Sequence, residues 1–266
     1  MMFTLAAAIA CSLSPRLAVT RGSTVEIVAR VADVSVIAGS RDAIELDGGT
    51  ADCRRLGNVV LLEASGETTR LVVRVPSWMS VKVNASRGDV QVDDVLAPLD
   101  VDALAGDVRI RGGRDRVVVK TASGGVEVAG ATGQIDISAQ HRPVLLTGIS
   151  GAIQLVNVNG VTTMRDIRAT RLTAVTVTGE ITCECTPTGE AAEWEMRASS
   201  GAVRLSLPAG VAAVATLDAP RHAATVRYPG AELQTVGSRQ IVAVLGKGGA
   251  RIRLTSFSGA VSLYQR

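Results

Sequence analysis

The chain has two histidines, His141 and His222, and they bound any imidazole chemistry. A serine hydrolase needs a nucleophile, a histidine base and an orienting carboxylate, and many such enzymes raise the serine on a recognisable turn. No nucleophile-elbow pattern accompanies either histidine, and His141 stands in His141-Arg142-Pro143, a turn sequence that predicts an exposed ring. Cys183 and Cys185 form the next candidate pair. Their spacing in a strand puts both side chains on one face, either as two small apolar core residues or as two ligands of a metal site. The core reading is preferred, because Cys53 and the histidines that could complete a zinc site are remote in sequence. Gly88-Asp89, Gly106-Asp107 and Arg111-Gly112-Gly113-Arg114-Asp115 touch on the acidic turns of calcium-binding nonapeptide rolls. None reproduces Gly-Gly-x-Gly-x-Asp, and most turns lack Asp. Gly246-Lys247-Gly248-Gly249 lacks the spacing of a phosphate loop and reads as a turn. No catalytic, metal-binding or cofactor-binding residue is therefore assigned.

The scaffold speaks more clearly than the chemistry. Stepping nine residues from Val83 gives Val92, Val101, Ile110, Val119, Val128, Ile137, Leu146 and Leu155, all aliphatic. The position two before each step reads Val90, Leu99, Val108, Val117, Val126, Ile135, Val144 and Ile153, again all aliphatic. In a chain that is 47% apolar, such a run arises by chance about once in several hundred thousand trials before allowing for choice of frame. Five residues after the step a glycine recurs at 88, 106, 124, 133 and 151, broken by Ala97, Asp115 and Arg142. Each unit is thus an aliphatic-x-aliphatic strand sending two side chains to one face, followed by a turn where glycine permits a corner.

The fullest copies begin at Val83, Val101 and Val119, 18 residues apart. That spacing predicts an all-β fold: a β-solenoid, parallel β-helix-like, with coils of roughly 18 residues in two opposed halves; a right-handed path is expected, although the pattern alone does not set the hand. Stacked coils bury a face that a single unit cannot. Residues 1–18 read as a leader and 19–266 as one solenoid domain, with an N-terminal cap over 19–80, regular coils over 81–205 and longer coils over 206–266. The stretch Val25 to Val75 looks strand-like without the nine-residue step. After Leu155 the period slips, with the turn motif returning at Gly179, Gly201 and Gly259 and a long insertion between Pro208 and Gly249.

Composition narrows the partners. Net charge is +3, from 28 basic and 25 acidic residues scattered singly, and aromatics make up 2%. Without a basic run or base-stacking rings, nucleic acid is not a predicted partner. Met2 to Leu13 is too short to span a bilayer but fits the apolar core of a secretory leader, although no basic residue precedes it. Ala8-Ile9-Ala10 offers a cleavage site before Cys11, and a lipidated Cys11 is the alternative outcome. The expected location is periplasmic, envelope-associated or secreted.

Val75-Pro76-Ser77-Trp78-Met79-Ser80-Val81-Lys82-Val83, then Arg87-Gly88-Asp89-Val90-Gln91-Val92, Thr121-Ala122-Ser123-Gly124-Gly125-Val126-Glu127-Val128 and Ser258-Gly259-Ala260-Val261 carry a resemblance. From about Thr24 to the C-terminus the chain resembles a bacterial family of unknown function with β-strand repeats that bears the label "putative adhesin", and it is similar to auto-transporter adhesin heads. The resemblance implies a solenoid-like fold in exported or envelope proteins and brings no catalytic residues. The expected function is a non-enzymatic surface, adhesin-like or scaffolding, whose partner is an unidentified protein or envelope component. A polysaccharide-active β-helix enzyme is the alternative, poorly served by two Trp, two Tyr and two Phe. A solenoid polymerising end to end is the second.

Overall fold

The computed structural model describes residues 9–11, 16–39, 42–189, 191–236 and 239–266. Most of the leader-like stretch and the residues flanking it lie outside the described residues. Among the described residues the regular elements are all strands, and the chain forms two compact units, residues 1–124 and 125–266.

The first unit holds β1 (Ile9–Cys11), β2 (Leu17–Ala18), β3 (Thr24–Ala29), β4 (Asp33–Gly39), β5 (Ala43–Gly48), β6 (Ala51–Leu56), β7 (Val59–Ala64), β8 (Arg70–Pro76), β9 (Ser80–Arg87), β10 (Val90–Val95), β11 (Leu99–Ala105), β12 (Val108–Gly112) and β13 (Arg114–Thr121). The 18-residue coil is explicit in the register. Val81 and Val83 lie beside Leu99 and Val101, these beside Val117 and Val119, and across the coil Val90 and Val92 lie beside Val108 and Ile110, all in parallel strands. Within 19–80 the chain builds two more coils, β3/β4 and β7/β8. Val25 to Val34 and Ile27 to Val36 do keep the nine-residue spacing, and all four are buried. Chain order is not spatial order here. β3 pairs with both β7 and β9, and β4 with both β8 and β10, so the first coil lies between the second and the third. Antiparallel strands then cover the open end: β6 on β7 with β1 beyond it, and β5 on β8 with β2 beyond it. That cover is what a bare parallel edge requires to avoid templating another chain.

The second unit holds β14 (Val126–Ala129), β15 (Thr132–Ala139), β16 (Val144–Thr147), β17 (Ser150–Asn159), β18 (Thr162–Thr178), β19 (Ile181–Pro187), β20 (Glu193–Ser200), β21 (Val203–Leu207), β22 (Ala213–Asp218), β23 (Ala224–Arg227), β24 (Glu232–Val236), β25 (Gln240–Leu245), β26 (Ala250–Ser256) and β27 (Val261–Gln265). Its first coils keep the 18-residue register, with Val126 beside Val144 and Ile135 beside Ile153. The period slips within β18 at Thr170, which has no counterpart on β17: Gly151 lies beside Ala169 but Ala152 beside Arg171. The insertion foreseen between Pro208 and Gly249 is a further coil, β22/β23, plus an antiparallel pair, β24/β25. The final strands do not follow it in space. β26 pairs with both β20 and β22, and β27 with both β21 and β23. All seventeen ladder positions from Val83 to Leu155 are at most 3% exposed.

The glycine column has a stricter cause than a corner. A Cβ on Gly106 would collide with the carbonyl of Gly88, and one on Gly124 with that of Gly106. In the second unit Gly179, Gly201 and Gly259 meet the carbonyls of Gly160, Gly179 and Gly201 in the same way. Gly259 does not take a left-handed φ, so close approach alone excludes a side chain there. At Arg142 this column loses its glycine, and the buried Asn157 amide donates to the Arg142 and Gly160 carbonyls instead. Gly210 is the contrast: its φ is +77° and nothing crowds it. Gly210→Ala should cost about 1 kcal/mol for the left-handed backbone. Gly259→Ala should cost more, toward the upper end of the roughly 1–3 kcal/mol of overpacking. Urea midpoints check this, and a Gly259→Ala protein as stable as wild type would remove the contact from the account.

Candidate functional site

The residues that could do chemistry are held apart or already engaged. His141 is exposed at a turn, its Nδ1 3.4 Å from Asn159 Nδ2. His222 is exposed at another turn, where its backbone N–H donates to the Ala219 carbonyl. The Asp89 and Asp107 carboxylates serve the stack. Asp33 accepts from the Asp89 N–H and Asp89 from the Asp107 N–H, each at 2.8 Å, and Arg109 pairs with both Asp89 and Asp107. Cys183 and Cys185 point inward on β19, fully buried, as the spacing predicts. They are more than small apolar residues, however, because they are bonded to each other as a disulfide with Cα atoms 5.6 Å apart. That distance lies within the normal bridging range. Cys53 is disulfide-bonded as well. Among the described residues no three His, Cys, Asp or Glu side chains gather as a metal site. Gly246-Lys247-Gly248-Gly249 is the turn between β25 and β26, with Lys247 exposed.

The side chains that do converge are outward ones, and register brings them together. In parallel in-register strands each outward residue has a neighbour about 4.8 Å away on the next strand. Across β18, β20, β26 and β22 this sets Arg171, Glu193, Arg251 and Val214 in one row. Thr173, Glu195, Arg253 and Thr216 form the next. The two rows border a groove of about 600 Å³, within the usual size of ligand sites. A second depression of about 780 Å³, bounded by the turns at Gly189, Gly210 and Lys247, shares Gly249 with it. Beneath the rows, Leu172, Trp194, Ile252 and Ala215 stack inward. Trp194 is 3% exposed and donates its indole N–H to the Ala169 carbonyl at 3.2 Å, so it supports the floor rather than offering a ring face.

Charge in the groove is partly cancelled. Glu193 pairs with Arg251 at 3.8 Å and Glu195 with Arg197 at 3.2 Å. Arg171 and Arg253 enter no ion pair among the described residues. In the first unit Lys82 stands between Glu26 and Asp100 in one row and is paired to Glu26. Glu26 accepts from Lys82 and Asn84, and the hydrogen bond and charge of Glu26 hold the Lys82 ammonium above the ordinary lysine range. Sequence reading missed the groove, since its four strands are separated by the slipped, long coils. Trp194→Ala should destabilise by about 3–5 kcal/mol through the cavity it leaves. Arg253→Ala should stay within about 0.5 kcal/mol. Thermal and urea unfolding would separate the two, and equal losses would deny Trp194 its role as floor.

The family model for Toastrack DUF4097 matches residues 24–264. Two solved structures are similar along nearly the whole length. One, titled a putative cell adhesion protein, from Clostridium sporogenes, is 8% identical, with 94% of this chain and 98% of that one covered and a TM-score of 0.25. The other, titled a putative adhesin, from Bacteroides fragilis, is 13% identical, with 97% of each chain covered and a TM-score of 0.44. No curated protein matches.

Proposed function

The chain belongs to the Toastrack DUF4097 family over residues 24–264, and from that premise we propose that it is a non-enzymatic, envelope-facing or secreted β-repeat module that presents an interaction surface. The observation that carries this reading is the pair of outward rows bordering the groove. They offer many polar groups to a partner, yet both carboxylates there, Glu193 and Glu195, are engaged by arginines. A general acid or base must be free to exchange a proton with its substrate. Neither histidine is hydrogen-bonded to a serine or a carboxylate among the described residues. Binding without turnover is what such a surface does.

The cysteines support an oxidising location. Cys183 with Cys185, and Cys53 in its own bridge, are disulfide-bonded, and structural disulfides persist outside the reducing cytosol. Among the described residues no helix is long and apolar enough to cross a membrane.

Two measurements test the proposal. Fractionation of a tagged full-length protein should find it in the envelope or the medium. There, Cys183 and Cys185 should resist alkylation until the protein is unfolded and reduced. A cytosolic protein with free thiols at these positions would refute the location. Incubation of the purified protein with acidic and neutral polysaccharides should release no new reducing or unsaturated ends, and steady release would refute the non-enzymatic reading.

A further inference from the structure

We infer that the groove over β18, β20, β26 and β22 is a binding site for an acidic polysaccharide, a linear polymer of sugars bearing carboxylates. This rests on the reading of the protein as a surface-presenting module and specifies what the surface takes.

The chemistry follows from the pattern of charge. Along the first row the order is Arg171, Glu193, Arg251, and the second row sets Glu195 beside Arg253. After the Glu193–Arg251 and Glu195–Arg197 pairs are formed, the charges left over are both positive, Arg171 and Arg253. They stand two strand positions apart, with acceptors between them. A ligand that suits this must present carboxylates at intervals and hydrogen-bond donors between them. Sugar acids do so: their carboxylates accept from the guanidinium forks, and their hydroxyls donate to Glu193 and Glu195 or exchange bonds with the Thr173 and Thr216 hydroxyls.

Other polyanions fit less well. A nucleic acid carries a phosphate at every residue and would set some of them against the two glutamates. Its bases would also find no exposed ring, since Trp194 is buried. An acidic peptide gains most of its hold on a sheet by adding a strand to an open edge. Here β18, β20, β26 and β22 are each paired on both sides, so the groove floor has no free backbone. The continuation of the groove past Gly249 toward Lys247 gives a long polymer room to extend and one more exposed cation to meet. Each contact is exposed and individually weak, so binding gains from repetition along the polymer and falls with salt.

The test uses the full chain with polygalacturonate as probe, read by titration calorimetry at 50 mM and 500 mM NaCl. Dextran serves as neutral control and polyglutamate as acidic peptide control. Binding to polygalacturonate should weaken at least tenfold at the higher salt, with polyglutamate weaker than polygalacturonate and dextran silent. The double variant Arg171→Glu, Arg253→Glu should lose at least tenfold, while Arg227→Glu on β23, outside the groove, should lose less than twofold. Unchanged thermal midpoints would show that both variants fold. No binding of polygalacturonate at millimolar sugar, equal binding by the groove variant, or polyglutamate binding as tight as polygalacturonate would each overturn the inference. An envelope location and absence of turnover would survive any of these, so failure of the ligand assignment is distinguishable from failure of the surface-module reading.

Discussion

The carbonyl of one corner glycine resting against the Cα of the next is the contact on which the coil geometry depends. At Gly88, Gly106 and Gly124, and again at Gly160, Gly179, Gly201 and Gly259, no side chain could be interposed. Strand pairing demands neighbours about 4.8 Å apart, and a corner can hold that spacing only if its backbone approaches as closely as the strands do. A Cβ would splay the corner, and the splay would pass into the pairing on either side. The aliphatic ladder depends on this. Val83 can rest on Val101, and Val101 on Val119, only because the corners keep the coils in register. The acidic residue after the corner position, Ala32 or Gly88, adds to the same end, its carboxylate taking the N–H of its counterpart one coil on, as Asp33 does for Asp89 and Asp89 for Asp107.

Register that orders the interior also orders the exterior. Strand alternation sends every second residue outward, and in-register stacking lines these up as straight rows. The interior rows accept little but apolar groups, with Thr121, Asn157, Thr162, Thr176 and Ser256 among the polar exceptions. The exterior rows are free of that constraint, so charge can be written on them without disturbing the stack. That separation explains how a scaffold of repeated coils can carry an ion-paired Glu26 and Lys82 on one unit and leave Arg171 and Arg253 without an ion pair on the other.

What was legible in the sequence follows from the same geometry. An 18-residue coil in two nearly equal halves writes a nine-residue period, so Val83 to Leu155 could be read directly. The corner column was visible too, but its reason was not. Glycine at a corner suggests backbone freedom, whereas Gly259 is required for closeness. Three things left no periodic mark. The β3/β4 coil keeps the nine-residue spacing for only one step before the antiparallel cover interrupts it. The Cys183–Cys185 bond has the same spacing as any inward pair. The groove rows join residues as far apart as Arg171, Glu193 and Arg251, across strand pairings offset by 22 and then 58 residues. Pairings at those separations are set by topology, which local pattern does not encode.

The interleaved coils tie the groove to completion of the fold. β26 supplies Arg251 and Arg253, and it enters between β20 and β22, two strands that precede it in the chain. Until it does, β20 and β22 lack their shared neighbour, and Trp194 lacks Ile252 beside it. Closing so long a separation costs entropy before any contact repays it. Among the described residues the β22/β23 coil pairs with the stack only through β26 and β27, so Ala250 to Gln265 must be seated on β20 and β21 before that coil or together with it. Both the inner stack and the outer rows of the second unit depend on that step. Without β26 the groove lacks Arg251 and Arg253 and, from its floor, Ile252, so a binding-competent surface reports a fully assembled stack.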